Sequence, residues 1–462
     1  MSQSKTYYIK NNRLNDHIHN LRSFTPTRIL AFGFVGLILI GGVLLSIPYA
    51  SENGLGTPFI DALFTSTSAV CVTGLVVLDT ANHFSTFGEI IILFLIQIGG
   101  LGFMTFATFF AILLGRKINL RERIILQESL NQISLEGIVK LVKHVLLFSF
   151  TIEGLGAGIL FVRWFTEMGW QKSFYFAVFH SISSFNNAGF DLMGNFSSLS
   201  SYKSDVVVNI TIMSLIITGG LGFAVLADLY SKKNKKFTLH TRLVLKTTAI
   251  LIIVGFLVVF FVEMNNPKTL GGYDLFTKIQ ASLFHSVTTR TAGFNTLDIQ
   301  QLRPATLFVT MFLMFIGASP GSTGGGIKTT TFVSILLFIR SIFYGHQYVT
   351  IEERTLPYSI IRKSFAIVTL AIFWVSITIG ILLLSEQAPF VQIVFETISA
   401  FGTVGLSMGL TPHLTVIGKI VIMITMFFGR VGLITIALAL GLNNKNSALS
   451  HIKYPEEKIM IG

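Results

Sequence analysis

Four short stretches of the 462-residue chain share one arrangement of residue types. They read ALFTSTSAVCVTGL (62–75), AVFHSISSFNNAGF (177–190), ASLFHSVTTRTAGF (281–294) and QIVFETISAFGTVGL (392–406). Each runs from an apolar residue and Phe, through a Ser/Thr-rich turn, to Gly and then Leu or Phe. The chemistry they offer is that of the backbone. Val72-Thr73-Gly74, Asn187-Ala188-Gly189, Thr291-Ala292-Gly293 and Thr403-Val404-Gly405 place a glycine where carbonyls must turn toward a common axis. A ring of carbonyls can replace the hydration shell of a dehydrated cation. The residues after each glycine are Leu75, Phe190, Phe294 and Leu406, which argues against a site built from acidic side chains. A fifth stretch, GASPGSTGGGIKTTT (317–331), sets a proline, five glycines and a lysine between two greasy runs. It is not a strict phosphate loop, because Ile327 separates Gly326 from Lys328.

These segments need elements to hold them. The chain is 52% hydrophobic and 12% charged, with a mean hydropathy of +0.70. Soluble domains carry about 25% charged residues, so this is an integral membrane protein. The four glycines, Gly74, Gly189, Gly293 and Gly405, recur at intervals of 115, 104 and 112 residues. Each short segment lies between two membrane-length apolar runs. Ile29–Leu45, Leu141–Phe161, Leu243–Phe261 and Phe365–Leu384 precede them, and Ile90–Leu114, Val206–Leu229, Ala305–Ile339 and Ile417–Leu442 follow. The expected fold is all-α: four tandem helix–pore loop–helix repeats, eight spanning helices, around a central ion pore. The expected divisions are 1–27, 28–115, 116–230, 231–345 with a loop at 317–328, 346–442, and a tail at 443–462. The following helices carry a second mark, IGGLGF (98–103), TGGLGF (218–223) and FGRVGL (428–433).

Lys and Arg gather before Arg28, after each second helix and in the tail, which makes that side cytoplasmic. Both termini are then inside a multi-pass plasma-membrane protein whose apolar faces meet membrane lipids. The formal charge of +12 is mostly this topology, so nucleic acid is not expected as a partner. KKNKK (232–236) reads as a solvated loop anchor, with a cytoplasmic docking surface as the alternative. The single cysteine, Cys71, excludes an internal disulfide framework. No paired catalytic carboxylates, metal-ligand cluster or nucleophile constellation points to an enzyme.

Ala305–Arg340 as one helix would be about 54 Å long, against a bilayer core of about 30 Å. Ser319, Pro320, Gly321, Ser322, Thr323, Gly324, Gly325 and Gly326 therefore read as an insertion that faces the aqueous pore, with a simple kink as the alternative. Arg430 stands where two other units have Gly100 and Gly220. An ionisable residue in a membrane helix reads as a functional-site candidate, with a pin to helix ends as the alternative. Lys328 belongs to the same loop or snorkels. His180 and His285 read as hydrogen-bonded packing residues. Glu153 and Arg290 call for local partners that the sequence does not name.

TVGL at 403–406 is similar to the potassium-channel filter signature. The fourfold chain from Arg28 to about Leu442 resembles the Trk/Ktr/HKT superfamily of cation transport proteins, most closely the Ktr-type membrane subunit. That resemblance implies potassium uptake, often sodium-dependent, with K+ bound at the twelve filter positions. It implies an intramembrane gate at Ser319–Gly326, Lys328 and Arg430. It also implies a homodimer on a cytoplasmic nucleotide-binding regulatory ring (an RCK protein), the nucleotide on the partner and no cofactor in this chain. None of the four loops has the second glycine of a Gly-Tyr-Gly signature, so strict selectivity does not follow. Gly74, where plant relatives that carry sodium have serine, favours potassium. An alternating-access carrier and a less selective Na+/K+ pore are the competing readings. Carriers usually show two inverted repeats, whereas the four units here share one orientation.

Overall fold

Pro26 opens the first long helix, where a residue without an N–H leaves no donor unpaired. The computed structural model describes residues 25–116, 118–130, 136–230, 237–440 and 460. The basic stretch 232–236, nearly all of 1–27 and nearly all of 443–462 lie outside the described residues. Four times the chain follows one order: long helix, short helix, loop, second helix. The first unit holds α1 (Pro26–Ser46), α2 (Phe59–Val70), α3 (Thr86–Leu101) and α4 (Phe103–Leu113). A connecting helix, α5 (Leu120–Ser129), starts at an Asn119/Glu122 capping box. It leads to α6 (Ile138–Phe185), whose long and short parts meet at Gly169, φ 73°. Then come α7 (Val206–Leu221) and α8 (Phe223–Tyr230). The third unit holds α9 (Leu239–Glu263), α10 (Leu275–Thr288), α11 (Pro304–Phe315) and α12 (Thr329–Phe343). A small hairpin of β1 (Thr350–Ile351) and β2 (Arg354–Thr355) precedes α13 (Tyr358–Ser385), α14 (Phe390–Gly402), α15 (Val416–Val431) and α16 (Leu433–Leu440).

α1, α6, α9 and α13 are each long and apolar enough to cross a bilayer. The second helices are not the straight spans expected from the sequence. α3 and α4 meet at 94°, α7 and α8 at 100°, and α15 and α16 at 96°. Each corner is a single glycine, Gly102, Gly222 or Gly432, with φ of 85°, 96° and 90°. A left-handed residue ends one helix and lets the next start in a new direction. The third unit has no such corner. There the chain leaves α11 at Ile316 and re-enters helix at Thr329, with Ile316 and Ile327 bridged.

Ser/Thr-rich helices are tolerated inside the membrane because their hydroxyls have acceptors. Ser66 Oγ donates to Ile38 O (2.7 Å), Ser181 Oγ to Glu153 O (2.6 Å) and Ser286 Oγ to Ile252 O (2.7 Å). Each serine is two residues beyond the motif Phe, and each sits against a glycine of the long helix: Gly41, Gly156 and Gly255. Small residues let the short helices approach their long partners closely, the usual basis of helix contact in membranes.

Candidate functional site

The short helices α2, α10 and α14 and the second part of α6 all end at the same kind of turn. In three of them an amide five residues on closes the last helical carbonyl: Thr73 to Ser68 O (2.8 Å), Ala188 to Ser183 O (2.8 Å) and Val404 to Ser399 O (2.9 Å). The third unit is one residue shorter, and its Ala292 amide reaches Thr288 O instead (3.0 Å). The next residues alternate in hand. Val72, Asn187, Thr291 and Thr403 have φ of 57°, 59°, 72° and 50°, and Gly74, Gly189, Gly293 and Gly405 have 83°, 70°, 81° and 92°. Left-handed non-glycine residues are costly and persist where their surroundings over-determine them.

The four turns meet in a closed ring. A methyl group on Gly74 would lie 2.5 Å from Ala188 O, on Gly189 2.8 Å from Ala292 O, on Gly293 2.6 Å from Val404 O, and on Gly405 2.2 Å from Thr73 O. Thr73, Ala188, Ala292 and Val404 are fully buried. Yet no carbonyl of the twelve ring residues accepts a hydrogen bond among the described residues. More than nine-tenths of buried backbone groups in native proteins are paired. Carbonyls arranged in this way are the chemistry that can replace the hydration shell of a cation. The four glycines also line a cavity of about 420 Å³ that contains Asp79, Asp191 and Asp298.

The loop between α11 and α12 closes the other side of this ring. Gly325 N donates to Thr403 Oγ1 (3.0 Å) and Thr323 Oγ1 to Phe185 O (3.2 Å). A methyl on Gly324 would lie 2.1 Å from Thr291 Oγ1, and one on Gly325 2.4 Å from Thr403 Oγ1, which accounts for glycine at both positions. The second helices of the second and fourth units hold the loop. Ser319 N donates to Gly220 O (3.1 Å), Thr323 N to Gly219 O (3.3 Å) and Gly326 N to Gly429 O (3.2 Å), while Phe223 N donates to Gly321 O (2.8 Å). Pro320 O lies beside Gly222, and Ser322 Oγ donates within the loop to Ser319 O (2.6 Å). Arg430 donates to Thr323 O in the loop and to Gly99 O and Gly100 O (2.9 Å) of α3. It therefore both bonds the loop and pins a helix end. Lys328 does not snorkel; its ammonium turns back to Gly324 O (2.6 Å). Beneath the loop is a second cavity, of about 260 Å³, lined by Gly100, Ser322, Lys328 and Arg430.

The family model described as cation transport protein, TrkH, matches residues 14–449. The chain belongs to the TrkH family. Among its relatives is the Ktr system potassium uptake protein B of Bacillus subtilis, 47% identical over 95% of this chain and 97% of that one. The potassium/sodium uptake protein NtpJ of Enterococcus hirae is 43% identical over 96% of this chain and 98% of its own. The crystal structure of the potassium transporter TrkH from Vibrio parahaemolyticus superposes with a TM-score of 0.72 at 18% identity, covering 92% of this chain and 86% of that one. The fold is thus the all-α membrane fold of TrkH-family transporters.

Other groups of this TrkH-family chain find partners that residue types alone did not reveal. Glu153 accepts from Gln97 Nε2 (3.0 Å to each oxygen) and from Asn186 Nδ2 (3.1 Å), directly behind ring residue Asn187. Glu396 accepts from the Met408 and Leu410 amides and Thr411 Oγ1, and so fixes the chain after Gly405. His180 bridges Phe176 O and the Leu192 amide, and His285 meets Thr310 Oγ1 (3.0 Å). The hydroxyls that brace the turns also escaped notice: Ser183 Oγ donates to Phe190 O (2.7 Å) and Thr288 Oγ1 to Phe294 O (2.6 Å). Their signal was a Ser or Thr four or five residues before the central ring residue in every unit.

Proposed function

We propose that this chain is the ion-translocating membrane subunit of a potassium uptake system. K+ loses its water in the four-loop ring of Val72–Gly74, Asn187–Gly189, Thr291–Gly293 and Thr403–Gly405, and the loop Ser319–Gly326 with Lys328 and Arg430 gates its exit. The observation that carries this reading is the ring of twelve carbonyls left without donors, on residues that are all buried except the half-buried Gly405. The printed names of the relatives support potassium as the cargo. The name Ktr system supports a multi-component assembly, here a homodimer on a cytoplasmic nucleotide-binding ring. Sodium accompanies potassium in one relative's name, and the ring lacks a second glycine layer, so a less selective Na+/K+ pore is the second reading. Uptake of K+ and Na+ in cells stripped of their own transporters tests this. Potassium uptake that depends on the chain and is only weakly inhibited by sodium supports the first reading. Equal uptake of both ions supports the second, and uptake of neither refutes both.

A further inference from the structure

Two arginines lie at the level of the loop, and they are supplied with acceptors very differently. Arg430 donates to three carbonyls. Arg290, the residue just before ring residue Thr291, is 7% exposed and reaches one acceptor, Gly317 O, at 3.4 Å. Its Nε has no partner, and no carboxylate pairs with it among the described residues. Thr248 Oγ1 is also unpartnered, and it lines one small cavity together with Arg290, Gly220 and Ala318. A guanidinium carries five donors, and a buried charge short of partners is costly. With the loop where it is, Arg290 is underfed.

One carbonyl on the cavity that Arg290 lines is occupied by the loop itself. Gly220 O, beside Arg290, accepts the Ser319 N–H at 3.1 Å. If the loop moves away, that carbonyl loses its donor at the place where a guanidinium lacks an acceptor. We propose that Arg290 is a positioning residue for the displaced state of the loop, taking Gly220 O when Ser319 withdraws. Arg430 then stabilises the loop under the ring, and Arg290 stabilises it away from the ring. The side chains at the two places are complementary. Where α15 brings Arg430, the residue before the ring is Cys71, and where α7 has Gly220, the residue before the ring is Arg290. The inference rests on the reading of the loop as a gate.

The test uses the full chain in proteoliposomes. Cys71 is the one native cysteine and is buried, so Ser322→Cys adds the one thiol outside the core, which reports the loop from the cytoplasmic side. Potassium flux, thiol labelling rate and melting temperature are measured in this background, alone and with Arg290→Met, Arg290→Gln or Arg430→Gln. Arg290→Met should lower flux and slow labelling by about tenfold, the scale of one charge-assisted hydrogen bond, with no loss of melting temperature. Faster labelling, higher flux or unchanged behaviour overturns the proposal. So does lower flux accompanied by faster labelling and a lower melting temperature, the pattern of mere damage. If Arg290→Met does not fold, Arg290→Gln decides by the same criteria. Arg430→Gln should raise both flux and labelling. If it changes neither, the gate reading fails. If it raises both while Arg290→Met does nothing, only the role of Arg290 fails.

Discussion

Gly74 shows how little room a ring residue has. Its φ is 83° and the Ala188 carbonyl would stand 2.5 Å from any Cβ, so Gly74→Ser must displace that carbonyl. Potassium preference over sodium should fall in this variant, read as the ratio of uptake rates in mixed-ion medium; an unchanged ratio would remove Gly74 from the ion path. Ser183 acts one step further back. Its hydroxyl is bonded to Phe190 O, and Ser183→Ala leaves that buried carbonyl short of a donor. The expected loss is about 1 kcal/mol of stability, seen as a lower melting temperature. Glu153 is a sharper case. Glu153→Ala strands the amide donors of Gln97 and Asn186 and should cost about 1–3 kcal/mol, whereas Glu153→Gln keeps the shape and should cost less. Equal melting temperatures for the two variants would show that the network is not braced through the carboxylate.

At the scale of elements, the corners and the loop are the places to probe. Gly222→Ala puts a side chain at φ 96°, 2.6 Å from Pro320 O, so it disturbs the bend and the loop together. Gly102→Ala, at φ 85°, meets only Thr105 at 3.9 Å and strains the bend alone. The first should change basal potassium flux and the second should mainly lower stability, by about 1–2 kcal/mol; identical effects on flux would mean that the corner and the loop are not linked. Deleting Ser319–Gly326 should raise flux and loosen its dependence on a cytoplasmic partner; wild-type flux with wild-type dependence excludes the loop as a gate. The sequence carried the order of elements well, because Phe, Ser/Thr and Gly recur at fixed offsets and apolar runs have a countable length. It also placed Arg430 near the loop, since an arginine replacing a packed glycine stands out. It did not carry the 94–100° bends, although GGLGF contains the corner glycine. A glycine that packs a helix and a glycine that ends one look alike until φ is known. Nor could it pair Glu153 with Gln97 and Asn186, which are 56 and 33 residues away and meet only after three helices dock.

For the whole molecule, a ring of unpaired carbonyls predicts that its cargo is also a stabiliser. A ligand that binds only the folded state raises stability with its concentration. The purified protein should melt at a higher temperature in potassium than in choline of equal ionic strength. The same melting temperature in both would argue against an ion site in the ring. Nucleotide control belongs to the proposed partner, so the chain alone in liposomes should respond to no nucleotide; full nucleotide-controlled flux without a partner would overturn that assignment. The ring also has a consequence for how the protein is made. Gly405 packs on Thr73, Arg430 reaches Gly99 across 331 residues, and Lys419 pairs with Asp61 across 358 (2.6 Å). The last quarter of the chain therefore supplies the contacts that fasten it to the first. Contacts so distant in sequence form late. A nascent chain with three units in the membrane has an open arc of carbonyls, with no fourth turn to complete it. On the proposed reading, synthesis must run almost to its end before an ion can be held, and a chain that stops early leaves the ring of carbonyls open on one side.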